Sequence, residues 1–589
     1  MTGGSKEGFV SGEAADIFGK AQELAEAGDS SGASALYRTA AEKGHPASAF
    51  MLGQMMAAGL CGSPEEGFFW TAYSASDGYI RARKILEKAD SYPSDSDILA
   101  LSDGLAEAGS PAAMYASGMC RLLGIGTKID AEGAYKLFRR SGEAGNADGA
   151  CEEALCLMRG AGTGRDRPAG IAKLKALADG GCLRAVLKYA ECLEHGYGVR
   201  RDPAAAFRIY SGLADRKEPL GEYHTGRCYM DGIGIKKDPY MAFSWYLVAQ
   251  TMGAAEGDYG MARCMMGGIG TDREGKKGFE LLLTAADRGC REAMVMAGQL
   301  CERGRITKKS AGKALEFYLR AAETGSPYAN LAAGDILSEN GRDLKGAFAC
   351  YLRGALLGNT QCMHAAGTAL LSGLGVKKDD KKGFELCRMA AEDGFMKSQY
   401  TVANCYAHGR GTKRNFKKAL ELHKELADKG YIKSMLYVGE AYYNGDGAPT
   451  DAAEGVKYLR MGAEKEDALC EYYMGDAYTA GRGVEKDPRK AEQWYKRAAS
   501  HGHILSRKIL DAKGVAYGGS DAESPFESFL RKAKSGDAQS MYIVGRYYED
   551  GIGIDADIDQ AKVWYGSAAK KGNEAAKRAL ADIRAREQK

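Results

Sequence analysis

An all-α fold, a solenoid of roughly sixteen helix–turn–helix repeats, follows from three observations on the sequence. Pairs of glycines recur every 36 residues, a helix-capping residue follows each pair at a fixed distance, and a slot that never exceeds a methyl group follows at a second fixed distance. A regular period of this size marks stacked supersecondary units, none of which can bury its apolar face alone. The pairs are Gly124/Gly126, Gly160/Gly162, Gly196/Gly198, Gly232/Gly234 and Gly268/Gly270, then Gly373/Gly375, Gly409/Gly411, Gly445/Gly447, Gly481/Gly483 and Gly551/Gly553.

In the unit 222–253 the first helix ends at Gly232, where a left-handed cap suits glycine. Residues 235–238 make the turn. Asp238 caps the second helix and Pro239 takes its first position, where a missing N–H is harmless. Four residues after the second glycine stand Asp130, Asp166, Asp202, Asp238, Asp379, Asn415, Asp451, Asp487 and Asp557, with Glu274 the one poor cap. Eight residues after it stand Ala134, Gly170, Ala206, Ala242, Gly278, Gly383, Ala419, Gly455, Ala491 and Ala561, which places a close helix crossing there. The second helix ends at a further glycine (Gly145, Gly181, Gly253, Gly289, Gly394, Gly430, Gly502, Gly572). Connections this short make neighbouring helices antiparallel.

Imposing this register recovers degenerate units at 13–44, 47–78, 79–109, 328–358 and 505–536. Between Gly304 and Gly373 the spacing is 69 residues where two periods need 72, so one unit has lost three, and the turn around Asn340 and Gly341 is where they are missing. A change of local twist and a joint between two blocks are expected at 328–358. The organisation predicted is a flexible segment 1–12, a solenoid 13–572 and a capping helix 573–589, where Ala576, Leu580 and Ile583 share one face.

Composition narrows the function classes. Lys and Arg total 81 against 78 Asp and Glu, a net charge of +3, which gives no electrostatic reason to expect nucleic acid. The first ten residues carry no apolar secretion signal, and the uncharged stretches 46–64 and 239–255 are in register with repeat helices, so no membrane insertion is expected. Of 15 cysteines, Cys120, Cys156, Cys192, Cys228 and Cys264 stand 36 apart. Equivalent positions on packed helices lie about 10 Å apart, beyond the roughly 7 Å a disulfide spans. A reduced, cytoplasmic protein is expected.

The unit as a whole resembles the Sel-1-like repeat, a longer-turn relative of the tetratricopeptide repeat. The likeness is plainest at Met474, Gly475, Tyr478, Gly481, Gly483, Val484, Asp487, Ala491, Trp494, Tyr495, Ala498, Ala499 and Gly502, and recurs from Val544 to Gly572. The resemblance implies a right-handed α/α superhelix working as an adaptor that assembles protein complexes. A cysteine-rich secreted branch linked to β-lactam binding or hydrolysis makes a peptidoglycan-related enzyme the alternative, and a structural spacer is the third reading.

No catalytic residue, cofactor site or metal site is identified. The glycine pairs terminate helices, whereas a phosphate-binding fingerprint begins one. His501 and His503 flank Gly502 without cysteine or carboxylate at ligand spacing. No nucleophile-elbow pattern occurs.

The candidate partner-binding residues are aromatic and cationic. Nine residues before the first turn glycine stand Tyr115, Tyr223, Tyr259, Tyr400, Tyr472 and Tyr542, and five before it Arg227, Arg263 and Arg546, beside Asn404, Glu440 and Asp476 at the same slot. Positions nine, five and two share one helix face. By resemblance to tetratricopeptide arrays the first helices line a concave surface, so these side chains form a ladder for a protein or peptide partner or, equally, pack against the preceding repeat. Tyrosine and arginine are the types that dominate interface hot spots. A monomer or weak self-association is expected.

Overall fold

The computed structural model describes residues 12–587 apart from 64–65, 68, 72, 74–94, 305, 342, 518–524, 551–553 and 555. The predicted segment 1–12 therefore lies almost wholly outside the described residues, as do Gly551, Gly553 and most of the first helix of the unit 79–109. Among the described residues every regular element is helical, and the helices run in sequential pairs. Most are thirteen residues long, as in Pro219–Asp231 followed by Pro239–Thr251.

The local chemistry of the turn accounts for that regularity. Gly232 adopts φ 74° and its N–H donates to the Cys228 carbonyl at 2.8 Å, closing the first helix. The Asp238 N–H then donates back to the Tyr229 carbonyl at 2.9 Å, while its carboxylate accepts from the Met241 N–H at 3.1 Å. The same back-bond recurs at Asp130, Asp166, Asp202, Asp379, Asn415, Asp451, Asp487 and Asp557. Glu274 makes the back-bond but no side-chain cap. The second glycine serves a different purpose. A Cβ on Gly234 would be driven into the carbonyl of Pro203, the first residue of the preceding unit's second helix. Each turn thus seats against the unit before it.

Packing within a unit is glycine against ring. Phe138, Tyr246, Tyr318, Tyr495 and Tyr565 of second helices lie against Gly118, Gly226, Gly298, Gly475 and Gly545 of first helices. The small slot is the crossing point. Ala242 is fully buried, and a Cβ on Gly170 or Gly278 would lie 2.6 or 3.0 Å from the carbonyl oxygen of Ala154 or Ala262. Two non-glycine residues, Lys217 and Glu466, occupy the repeat-terminal slot with φ 61° and 63°, in the left-handed region the other units fill with glycine.

The chain divides into two compact units, one comprising 1–336 with 349–362 and the other 337–348 with 363–589. The division falls inside the stretch that has lost three residues. There the helix Pro327–Ser338 runs into a single 3-10 turn, Glu339–Gly341, before Leu344–Leu356. In the first unit the largest buried cluster gathers Tyr37, Trp70, Tyr73, Tyr115 and Phe138. In the second, smaller clusters repeat along the array, ending where Ala576 and Ile583 of Glu574–Glu587 pack on Tyr565 and Ala568.

Candidate partner-binding surface

The tyrosine slot lies at the boundary between core and surface, and the neighbours of each ring decide its fate. Tyr115 and Tyr223 are 4% and 5% exposed and offer nothing to a partner. Tyr115 is enclosed by the rings of Tyr73 at 5.9 Å and Phe138 at 6.1 Å, with the Arg184 guanidinium 5.5 Å from its centroid. Tyr223 packs between Tyr246 and Tyr259, with ring centroids at 5.8 and 6.4 Å. Both belong to the core, and their place among the candidate binding residues is corrected accordingly.

Arg227 is engaged as well. Its guanidinium grips the buried Glu194 through both nitrogens, at 2.9 and 2.5 Å, tying Pro219–Asp231 to Leu183–His195. It acts as an inter-repeat strut. Arg546 pairs within its own helix with Asp550 at 2.6 Å.

In the second unit Tyr400, Tyr472 and Tyr542 are half-buried. Tyr400 lies 5.2 Å from the Tyr431 ring, Tyr472 4.5 Å from His503, and Tyr542 5.6 Å from Tyr565. Each leans on its own repeat and presents one edge outward.

Tyr259 and Arg263 differ, because they line a cavity of about 470 Å³ in the first unit. Three successive first helices build it. Ala255–Gly267 supplies Tyr259 and Arg263. Arg291–Arg303 supplies Arg291, Glu292, Val295, Met296 and Gln299, and Pro327–Ser338 supplies Tyr328. Positions nine and five recur here in consecutive units, as Tyr259 and Arg263 and then Val295 and Gln299, so the predicted face is the one that lines the space. The Gln299 amide donates to the Tyr328 hydroxyl at 3.0 Å, holding the rim, and Tyr328 is 45% exposed.

The electrostatics favour donors. Burial pushes the Tyr259 hydroxyl up to about 12, so it stays an O–H donor across the ordinary pH range. The Arg263 guanidinium lies over Tyr259, 5.8 Å from its centroid, and meets Asp231 only at 3.8 Å. Arg291 has a buried Nε without a hydrogen-bond partner and no ion pair among the described residues. Sequence reasoning missed Arg291, Met296 and Tyr328. The signal for Arg291 was available: the same slot elsewhere holds Pro111, Ala147, Leu183, Pro219, Ala255, Thr360, Met396, Ile432, Ala468 and Ala538.

A family model described as the Sel1 repeat matches ten times, over 111–146, 183–215, 219–249, 255–290, 291–326, 360–395, 397–431, 432–467, 468–503 and 538–573. The chain belongs to the Sel1 repeat family. Sel1 and related repeat proteins generally mediate protein–protein interaction. The cavity is formed by the fourth and fifth matched Sel1 repeats, with Tyr328 contributed by the unmatched stretch that follows. No curated protein sequence matches the chain. Among solved structures, c5321, a protective antigen of uropathogenic Escherichia coli with an SLR fold, is 21% identical over 83% of this chain and 90% of its own, with a TM-score of 0.31. A Sel1 repeat protein from Oxalobacter formigenes is 24% identical over 59% of this chain and 93% of its own, with a TM-score of 0.37. The immunity protein Pa5087 from Pseudomonas aeruginosa is 19% identical over 36% and 82%, with a TM-score of 0.23.

Within this Sel1 array the 15 cysteines form no disulfide among the described residues. The Cys120–Cys264 series is buried, and burial pushes the Cys156 and Cys228 thiols up to about 12. Such thiols are packing groups, inert as nucleophiles. Among the described residues no group of His, Cys, Asp and Glu gathers in a form able to hold a metal, and no helix is long and apolar enough to cross a membrane.

Proposed function

We propose that this protein is a non-catalytic scaffold that holds an extended segment of a protein partner against the first helices of its Sel1 repeats. One observation carries the reading. The cavity at Ala255–Gly267, Arg291–Arg303 and Pro327–Ser338 combines two tyrosines, two guanidiniums and apolar side chains on a repeating face. Aromatic and arginine anchors beside apolar contacts are the composition that concentrates binding energy at protein interfaces. A repeat array supplies such contacts serially, which suits an extended partner. Buried cysteines that form no disulfide among the described residues support a reducing, cytoplasmic setting.

The test is affinity capture with the full chain and with Tyr259→Ala, followed by titration of each purified partner against both. A partner using this face binds Tyr259→Ala with a loss of about 1–3 kcal/mol, as a hot-spot truncation does. Partners that bind both proteins equally refute the placement.

A further inference from the structure

The cavity contains a residue that breaks the rule of its slot, and this rests on the scaffold reading above. Across the matched units the first position of the first helix is proline, alanine or another uncharged residue, and only Arg291 is charged. A cation there faces the positive end of its own helix dipole, which disfavours it. Arg291 gains no compensating ion pair among the described residues, and its Nε is buried without a hydrogen-bond partner. Arg263, the second guanidinium lining the cavity, meets its nearest carboxylate only at 3.8 Å. The one carboxylate in the lining, Glu292, is exposed and pairs with neither arginine. The Tyr259 hydroxyl adds a neutral donor. Donors that the chain leaves largely unused around an open cleft invite a group that only accepts hydrogen bonds and carries negative charge. Val295 and Met296 give the same space an apolar wall. At about 470 Å³ it falls within the roughly 300–1,000 Å³ typical of ligand sites.

The geometry points to a recognition site for an aspartate or glutamate side chain next to a large apolar residue in the partner segment, with Arg291 and Arg263 receiving the carboxylate and Val295 and Met296 the apolar neighbour. A guanidinium binds a carboxylate through paired N–H donors, which lysine cannot reproduce, so arginine at both positions is the fitting choice. Departures from a local rule are expected where function overrides stability.

The experiment is a fluorescence-polarisation titration of the full chain with acetylated, amidated peptide pools of about ten residues, within the reach of a few repeats. Each pool carries one Glu flanked by Leu or Phe, with the remaining positions degenerate. Twin pools replace that Glu with Gln or Lys, and a further pool has no acidic side chain but a free C-terminus. The Glu pools are expected to bind about tenfold more tightly than their Gln twins, as a charge-assisted pair should. That preference should shrink as salt rises from about 50 to about 300 mM. Arg291→Gln and Arg263→Gln should each remove most of the preference of the Glu pool over its Gln twin without lowering the melting temperature. Arg291→Lys should restore part of it. Equal binding of Glu and Gln pools, preference for the Lys pool, or tight binding only by the free C-terminus overturns the inference. Peptide binding without charge preference leaves the scaffold reading standing and removes the anionic anchor. Failure of every pool to bind removes both.

Discussion

Glu222 sits in the core with no cation to meet it, and its ionisation should weaken the array locally. It is 4% exposed, and its Oε2 has no hydrogen-bond partner. The slot itself tolerates acid, because Asp258 and Glu471 occupy it two other times. Both have partners at the end of their own unit's second helix. Asp258 pairs with Arg288 and accepts from the Gln250 amide at 2.6 Å, and Glu471 meets Arg497 at 3.0 Å and His501 at 2.7 Å. In Glu222's unit those positions hold Val248 and Met252. Burial, assisted by the Asp215 charge, pushes the Glu222 carboxyl up to about 7 from an ordinary 4.5.

An acid whose pKa is raised on folding binds its proton more tightly in the folded state. Stability contributed by the protonated form is therefore present below about pH 4.5 and is progressively lost as pH rises towards 7. At about 1.4 kcal/mol per unit the full shift sets a ceiling of about 3.5 kcal/mol. Screening by nearby solvent brings the expected loss to about 1–2 kcal/mol. Long repeat arrays depart from two-state unfolding, so the reading is local. Hydrogen exchange of peptides from Pro219–Asp231, compared between wild type and Glu222→Gln at each pH, cancels the intrinsic pH dependence of exchange. At pH about 8 the variant should be protected roughly 5–30-fold more than wild type, and at pH about 4 the two should coincide. Met252→Arg, which recreates the partner of Asp258, should raise protection at pH about 8 to a similar extent. The same ratio at both pH values, or no gain from either substitution, would refute the argument.

Other substitutions separate the forces in the array. Lys217→Gly and Glu466→Gly relieve side chains held at positive φ, and each should gain about 0.5–1 kcal/mol of local stability by hydrogen exchange or urea titration. Gly234→Ala would push a methyl into the Pro203 carbonyl and should cost about 1–3 kcal/mol or more. Gly198→Ala has nothing nearer than 3.6 Å and should cost only about 1 kcal/mol, the strain of the left-handed backbone, so unequal denaturation shifts are the check. Tyr223→Ala empties a core site and should cost about 3–5 kcal/mol, whereas Tyr259→Ala, which removes a half-buried ring at the edge of the same cluster, should cost clearly less; equal losses would refute the division of these tyrosines between core and surface.

Which features were legible follows from how a repeat encodes them. The cap at Asp238 and the crossing at Ala242 are set by contacts within a unit or with the unit before it, so the constraint recurs and the period displays it. Even the exception at Glu274 was readable, and it makes no side-chain cap. Lys217 and Glu466 were not, because the surrounding turn imposes positive φ whatever residue stands there, and the missing glycine removed the signal while leaving the conformation. The tyrosine slot was legible as a face but not as a surface. Ring burial there depends on what lies across from it, and for Tyr115 that is Tyr73, which belongs to another unit.

The same reasoning locates function. Residues that obey a slot build the scaffold and say nothing about a partner, whereas a residue that violates its slot at a cost to the helix calls for a compensating interaction. Two charged side chains in the first unit lack the partner their position calls for, the buried acid at Glu222 and the cation at Arg291. They are distinguished by where they open. Glu222 is buried within the array, so its cost falls on stability and appears as pH dependence. Arg291 opens on the cavity it shares with Tyr259 and Arg263, where the carboxylate of a partner segment would compensate it.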